Sequence, residues 1–391
     1  MHHQRGRRIL CVLGLAYALT ACTTGPGGAK PGSGDDGEAT STGRPPAGTA
    51  AGSTTVFPVI DRAAHTATLL PDGRVLVVGG CVVDGCGEAT PTTELFDPAT
   101  GAFVTGPRMA DPRAGHTASA LPGGDVLVVG GYAGEGSAPL DTAEVYDATS
   151  ETFRPAGTAV TGRGAHAAAV LHDGRVLVVG GWAESGPFVG SAEIWDPQTD
   201  SFGPAGALAV GRAGPSATVL ADGHVLVAGG EDTPAYGLGS SELYDPATAT
   251  WTAGPDLTEP RFKHAAVFVG GAAYLIGGTP DDDRLLATVE RYDDAAGRFV
   301  PAGTLREGRY KFGDAVVGLP DGRIVVAGGG WTVEVFDVGT GTSELQPARI
   351  GGRASFATAT ALRDGEVLVV GGYDDRIDLR RSALVLAAPE A

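Results

Sequence analysis

Runs of consecutive aliphatic residues recur along the chain and each stops at a pair of glycines. The pairs are Gly79-Gly80, Gly130-Gly131, Gly180-Gly181, Gly229-Gly230, Gly277-Gly278, Gly328-Gly329 and Gly371-Gly372, spaced 51, 50, 49, 48, 51 and 43 residues apart. A period near 50 means one supersecondary unit copied around or along an axis. An unbroken Val/Leu run such as Val176-Leu177-Val178-Val179 predicts a strand buried on both faces.

The third unit serves as the type. Ala165-His166-Ala167-Ala168-Ala169-Val170-Leu171 leads through His172-Asp173-Gly174 to the Val/Leu run. An Asp-Gly turn between two apolar runs is a hairpin signal, because Gly adopts positive φ without steric cost. Asp72-Gly73, Asp222-Gly223, Asp321-Gly322 and Asp364-Gly365 repeat it, and Gly123-Gly124 stands in its place in the second unit; the fifth has Val269-Gly270-Gly271-Ala272 instead. After a loop of variable length comes Glu-x-aromatic-Asp, as in Glu144-Val145-Tyr146-Asp147 and Glu193-Ile194-Trp195-Asp196, a third strand with its aromatic facing the neighbouring unit. A tight turn, often Asp-Pro-x-Thr, precedes a fourth strand marked by Phe103, Phe153, Phe202, Trp251 or Phe299.

The double glycine ending strand two, with aromatics on strands three and four, resembles the kelch repeat. The resemblance covers residues 54–391 and implies an all-β, seven-bladed β-propeller with four antiparallel strands per blade. The last unit departs from the pattern: Leu384 and Leu386 stand where Glu and the aromatic belong. The chain stops on that third strand, so Thr54-Thr55-Val56-Phe57 is expected to supply the missing fourth and close the ring through a sheet drawn from both ends of the chain.

Composition bears on setting more than on fold. With 63 Gly, 26 Pro and 19% charged residues among 391, the chain favours many short strands. The net charge is −18, and removing the leader with Arg5, Arg7 and Arg8 takes it to −21, which disfavours nucleic acid and anionic lipid as partners. Residues 1–21 read as a signal peptide, basic and then apolar over 9–19, too short to span a bilayer. Leu19-Thr20-Ala21-Cys22 resembles the bacterial lipobox, which implies a lipid on Cys22. With Thr rather than Asp at position 23, such a lipoprotein is expected at the outer membrane of a host that has two membranes. Residues 22–53, rich in Gly, Pro, Ser, Thr and Ala, read as a flexible tether. In an oxidising compartment Cys81 and Cys86 are expected to form a local disulfide; the alternative, a pair of metal thiolates, lacks a second ligand pair nearby.

Candidate chemistry clusters before the first strand of each unit. Arg62, Arg113, Arg163, Arg212, Arg261, Arg309 and Arg353 precede it, with His65, His116, His166 and His264 three residues after four of them. Placed at one mouth of the channel, the guanidiniums could clamp a carboxylate or phosphate, as the kelch resemblance implies for acidic peptides. Alternatively each Arg pairs with the Glu that opens strand three. Binding individuality is expected in the loops after the glycine pairs, at Tyr132, Trp182, Phe188, Tyr236, Asp281, Asp282, Asp283, Trp331, Tyr373, Asp374 and Asp375. Asp281 to Asp283 suit either a solvated acidic loop or a Ca²⁺ site. Galactose oxidase shares the propeller, but its copper site needs a Cys joined to a Tyr, and the mature Cys here outside the lipobox are the paired ones. No cofactor or metal is therefore expected. The expected function is a monomeric, membrane-anchored, non-catalytic scaffold for a protein, peptide or glycan. The alternative is a mutarotase, epimerase or lyase using the mouth Arg and His as acid, base or electrostatic stabiliser.

Overall fold

The computed structural model describes residues 49–50, 53–159, 161–184, 188–233, 235–350, 352–380 and 382–387; the leader, Cys22 and most of the tether lie outside them. Seven four-stranded antiparallel blades follow one another, built as expected from consecutive strands. Blade 3 is typical: Ala167–Val170, Val176–Val179, Ser191–Asp196 and Ser201–Ala207 pair in chain order from the axis outward. Each innermost strand touches the next, and Thr358–Ala361 of blade 7 touches Thr66–Leu69 of blade 1, so the ring is closed. The fold is a seven-bladed β-propeller.

Local rules account for the blade. In blade 3 Gly174 takes φ +87° while the Asp173 carboxylate accepts the Arg175 N–H at 3.0 Å. In blade 5, Gly270 and Gly271 take φ +59° and +82°, the two successive positive values a two-residue hairpin turn requires, so Gly-Gly does the work of Asp-Gly. The glycine pair after strand two has a steric reason as well: at Gly131, φ is +91° and a Cβ would lie 2.7 Å from the Ala114 carbonyl oxygen.

The core lies between blades. Leu127, Val129 and Val145 of blade 2 pack with Val176, Val178 and Trp195 of blade 3, and every other interface repeats the arrangement. No single blade can hide these faces, which is why the ring must close. Ser53–Val56 closes it, pairing antiparallel with Ala383–Leu386 in the register Thr54 to Val385. Phe57 falls just outside that strand, and Thr49–Ala50, within the stretch expected as tether, adds a short fifth strand to blade 7.

Candidate functional site

Six of the seven arginines are fully buried. Arg163 shows the pattern: its guanidinium donates to the Gly180 and Ser191 carbonyls, both at 3.0 Å, and meets Glu193 at 2.5 Å. Arg62–Glu94, Arg113–Glu144, Arg212–Glu242 and Arg309–Glu334 repeat the pair at 2.6, 2.9, 3.1 and 2.7 Å, and Arg261 pairs with Glu290. The second carboxylate oxygen accepts backbone N–H groups of the incoming loop, as at Ala110 and Ala209, both 2.8 Å. Each arginine thus ties the glycine pair to the start of strand three, and its donors face protein rather than the channel.

The histidines are clips between blades. His116 Nε2 lies 3.0 Å from Thr66 Oγ1 of blade 1, His166 2.8 Å from Thr117, His264 3.0 Å from Ser216, and His65 3.0 Å from Thr358 across the closing seam. Where a blade carries Pro215, Phe312 or Ala357 in the histidine position, the preceding blade has Ala167, Ala265 or Ala315 in place of the hydroxyl. Hydroxyl and imidazole appear and vanish together, as expected of a pair whose members satisfy each other. Burial, with the nearby arginines, pushes His116, His166 and His264 down to about 3, and His65 likewise well below its ordinary value. All four are neutral at neutral pH.

Blade 7 breaks the arginine pattern. Arg353 lies one residue short of the strut position, which Ala354 occupies, and Leu384 fills the glutamate position. Both members of the ion pair are absent together. Arg380 lies in the gap, its Nη1 3.4 Å from the Gly371 carbonyl. Arg353 is instead half-buried at the surface, 3.3 Å from Asp375 and over the Tyr310 ring.

Inside the ring is a cavity of about 590 Å³. Its wall is small because alanine follows the hydroxyl position on nearly every innermost strand: Ala67, Ala118, Ala168, Ala217, Ala266 and Ala359. Its mouth is a collar of seven residues at left-handed φ: Ala64, Gly115, Ala165, Gly214, Lys263, Lys311 and Phe356, between +49° and +61°. Six backbone hydrogen bonds link them around the rim, from Gly115 N–H to Ala64 O (3.0 Å) through Phe356 N–H to Lys311 O (2.7 Å). Five of the seven are not glycine, so strain of about 1 kcal/mol at each is held by this ring. The collar is lopsided: small on blades 1 to 4, then Lys, Lys and Phe on blades 5 to 7. Lys263 pairs with Asp282 at 2.6 Å and lies 4.6 Å from the Phe262 ring; Lys311 Nζ lies 5.0 Å from the Tyr310 ring.

Two carboxyl groups also line the cavity. Glu231, accepting the Ala235 N–H at 3.0 Å, is pushed up to about 7 by burial. Asp314 lines the cavity with its side chain open to water, and desolvation by the surrounding wall pushes it up to about 6. It makes no side-chain hydrogen bond or ion pair to any described residue. Asp314 sits in an insertion: Arg62 precedes Thr66 by four residues, whereas Arg309 precedes the equivalent Ala315 by six. That irregular spacing, and the alanine after each hydroxyl, are the sequence signals that would have found the channel.

Of the loop residues, Tyr132, Trp182 and Tyr373 reach the cavity, the Trp182 ring 4.2 Å from Phe188. The Tyr373 hydroxyl donates to the Val83 carbonyl at 3.3 Å, beside the Cys81–Cys86 disulfide, which forms as expected. Tyr236 and Trp331 lie outside the cavity, 64% and 53% exposed. Asp281 and Asp374 accept N–H groups of their own loops, from Arg284 at 3.0 Å and Arg376 at 2.8 Å; among the described residues no group of three His, Cys, Asp or Glu, Asp283 included, has metal-holding geometry.

Residues 64–278 match the family model described as the KLHDC2/KLHL20/DRC7 Kelch-repeats domain, more than half of the chain. The chain belongs to this kelch family. Kelch domain-containing protein 9 of Homo sapiens is 40% identical over 77 residues, 19% of this chain and 22% of that protein, so the chain spans under a quarter of that relative's length. A fungal alcohol oxidase of the AA5 family, solved in complex with copper, aligns with a TM-score of 0.67 over 88% of this chain and 76% of that one. At 18% identity the likeness shows the fold alone. The residues here do not fit a galactose-oxidase-type copper site: Cys81 and Cys86 bond each other, and each of the four buried histidines is clipped to a neighbouring hydroxyl. A kelch propeller supports a binding role in general.

Proposed function

We propose that this kelch propeller is an exported scaffold, anchored by a lipid on Cys22 at the outer membrane, that binds a protein, peptide or glycan segment in the mouth of its channel without transforming it. The observation that carries this reading is the division of labour among residues. Groups repeated in most blades are spent within the protein, the arginines on glutamates and backbone carbonyls and the histidines on hydroxyls of neighbouring blades. Groups occurring once, namely Asp314, Glu231, Lys263, Lys311 and Phe356, line a cavity of ligand size. A ligand site needs such asymmetry, whereas a strut does not. Histidines neutral down to about pH 3 and arginines shut from the channel argue against Arg163 and His166 as an acid–base pair.

The test uses the full chain in detergent on arrays of defined glycans and peptides, beside Ala168→Trp, which fills the channel from its wall. A ligand held by the wild type and lost by Ala168→Trp is expected. Ligands that bind both proteins equally, or turnover of a sugar by the wild type, would refute the proposal. Labelling with radioactive palmitate is expected to mark the wild type and spare Cys22→Ala.

A further inference from the structure

Sequence resemblance directs attention to anions, since seven arginines stand before the innermost strands. The structure withdraws six of them into buried ion pairs and puts Arg353 against Asp375. Beside Glu231, Lys263 and Lys311, the channel then presents a carboxylate that makes no side-chain hydrogen bond or ion pair with a described residue, Asp314, delivered by the Gly313-Asp314 insertion of blade 6. The insertion is tied to blade 7, its Asp314 carbonyl accepting the Ala359 N–H at 2.7 Å.

Resting on the channel-mouth binding just proposed, we propose that the site selects cationic groups: a primary ammonium or guanidinium, carried by a polypeptide side chain or by a free amine, seats on Asp314 inside the aromatic half of the mouth. The Asp314 carboxylate is open to water and has no donor among the described residues, so it turns an uncompensated charge and unfilled acceptor sites toward the channel, and a ligand bringing both positive charge and N–H groups meets both needs at once. A neutral hydroxyl meets only one. The mouth also shows what its aromatic faces accept, since the chain's own ammonium groups rest on two rings that line it, Lys263 on Phe262 and Lys311 on Phe356. A net charge of −18 further draws cations toward the body.

The charged and titratable neighbours are few. Lys263 is neutralised by Asp282, and Lys311 is buried beside Tyr310 and Phe356. Neither pulls the Asp314 carboxyl down, its shift coming from desolvation alone. His116, His166 and His264 stay neutral, while Glu231 titrates near 7. Asp314 is ionised above about pH 6, so affinity for a cation should fall as pH drops below that value and plateau above it.

Ligand-observed NMR with the full chain and three probes of one shape, n-pentylammonium, pentanol and pentanoate, tests this directly. Spermidine and N-acetyl-lysine amide, added in turn, separate a free amine from a side chain as the source; binding of either supports the proposal. The ammonium probe is expected to bind above pH 7, to weaken toward pH 5, and to lose about 10-fold to 100-fold in Asp314→Asn, a charge-assisted contact being removed. Glu231→Gln should keep the pH response. Equal binding of the three probes, no binding of any, or an ammonium affinity unchanged in Asp314→Asn overturns the proposal. Array ligands that Ala168→Trp abolishes and Asp314→Asn leaves intact would overturn it while the scaffold reading survives. Ligands indifferent to Ala168→Trp would take that reading away as well.

Discussion

Blade 7 is a natural experiment on the strut, because it carries Ala354 and Leu384 where other blades carry Arg and Glu. Its substitutions can be moved into blade 3 as Arg163→Ala, Glu193→Leu and the double variant. Glu193→Leu leaves a guanidinium with no exposure and no counter-charge; Arg163→Ala leaves a carboxylate equally stranded. Each is expected to cost about 3–5 kcal/mol. The double variant removes both charges and retains the cavity and the carbonyls of Gly180 and Ser191, which lose a donor, at about 1–3 kcal/mol for each carbonyl. The double should therefore fall short of the summed single costs by at least about 2 kcal/mol. Guanidinium chloride unfolding, followed by fluorescence and far-UV circular dichroism, measures the cycle. Should the single variants fail to fold while the double folds, the coupling is shown in the same way. Costs that add to within about 0.5 kcal/mol would refute the strut as a coupled unit and return the arginine to the list of groups free for ligand.

Acid should weaken the ring. The four clip histidines have folded pKa values below the unfolded value, so their contribution is whole above about pH 6.5 and is lost as pH falls below it, toward about 3 for His116, His166 and His264, at up to about 1.4 kcal/mol per histidine per pH unit. Glu231 and Asp314, raised in the fold, run the other way and add stability as they protonate below about 7 and 6. Thermal melts from pH 7.5 to 4.5 should show a net decline that becomes shallower in His116→Gln, and a flat profile would contradict the assignment. Deleting residues 49–56 removes the strand that seals blade 7 and exposes Leu384 and Leu386 at an open edge. Size-exclusion chromatography is expected to show aggregation, and a monomer with unchanged melting would count against closure by this strand.

Much of the fold could be read along the chain because its determinants are local. A glycine at positive φ, an Asp-Gly turn and an unbroken valine run each act within a few residues, and their repetition declares the blade and the number of blades. Even the closing strand was legible, since residues 54–57 were expected to complete the final unit, and the observed strand Ser53–Val56 differs from that by one residue at each end. The partners of long side chains are another matter. Whether Arg163 met a ligand or Glu193 depended on how strand three lies over the glycine turn, and His65 finds Thr358 only when the two ends of the chain come together. Arg353 occupied the expected place in the sequence, yet a one-residue shift put Ala354 in the strut and left the arginine at the surface. Asp314 faces a channel only because ring closure builds the wall around it. Backbone conformation is settled by nearest neighbours, whereas the charge, burial and polarity of a channel belong to all seven blades at once, and only the closed ring decides them.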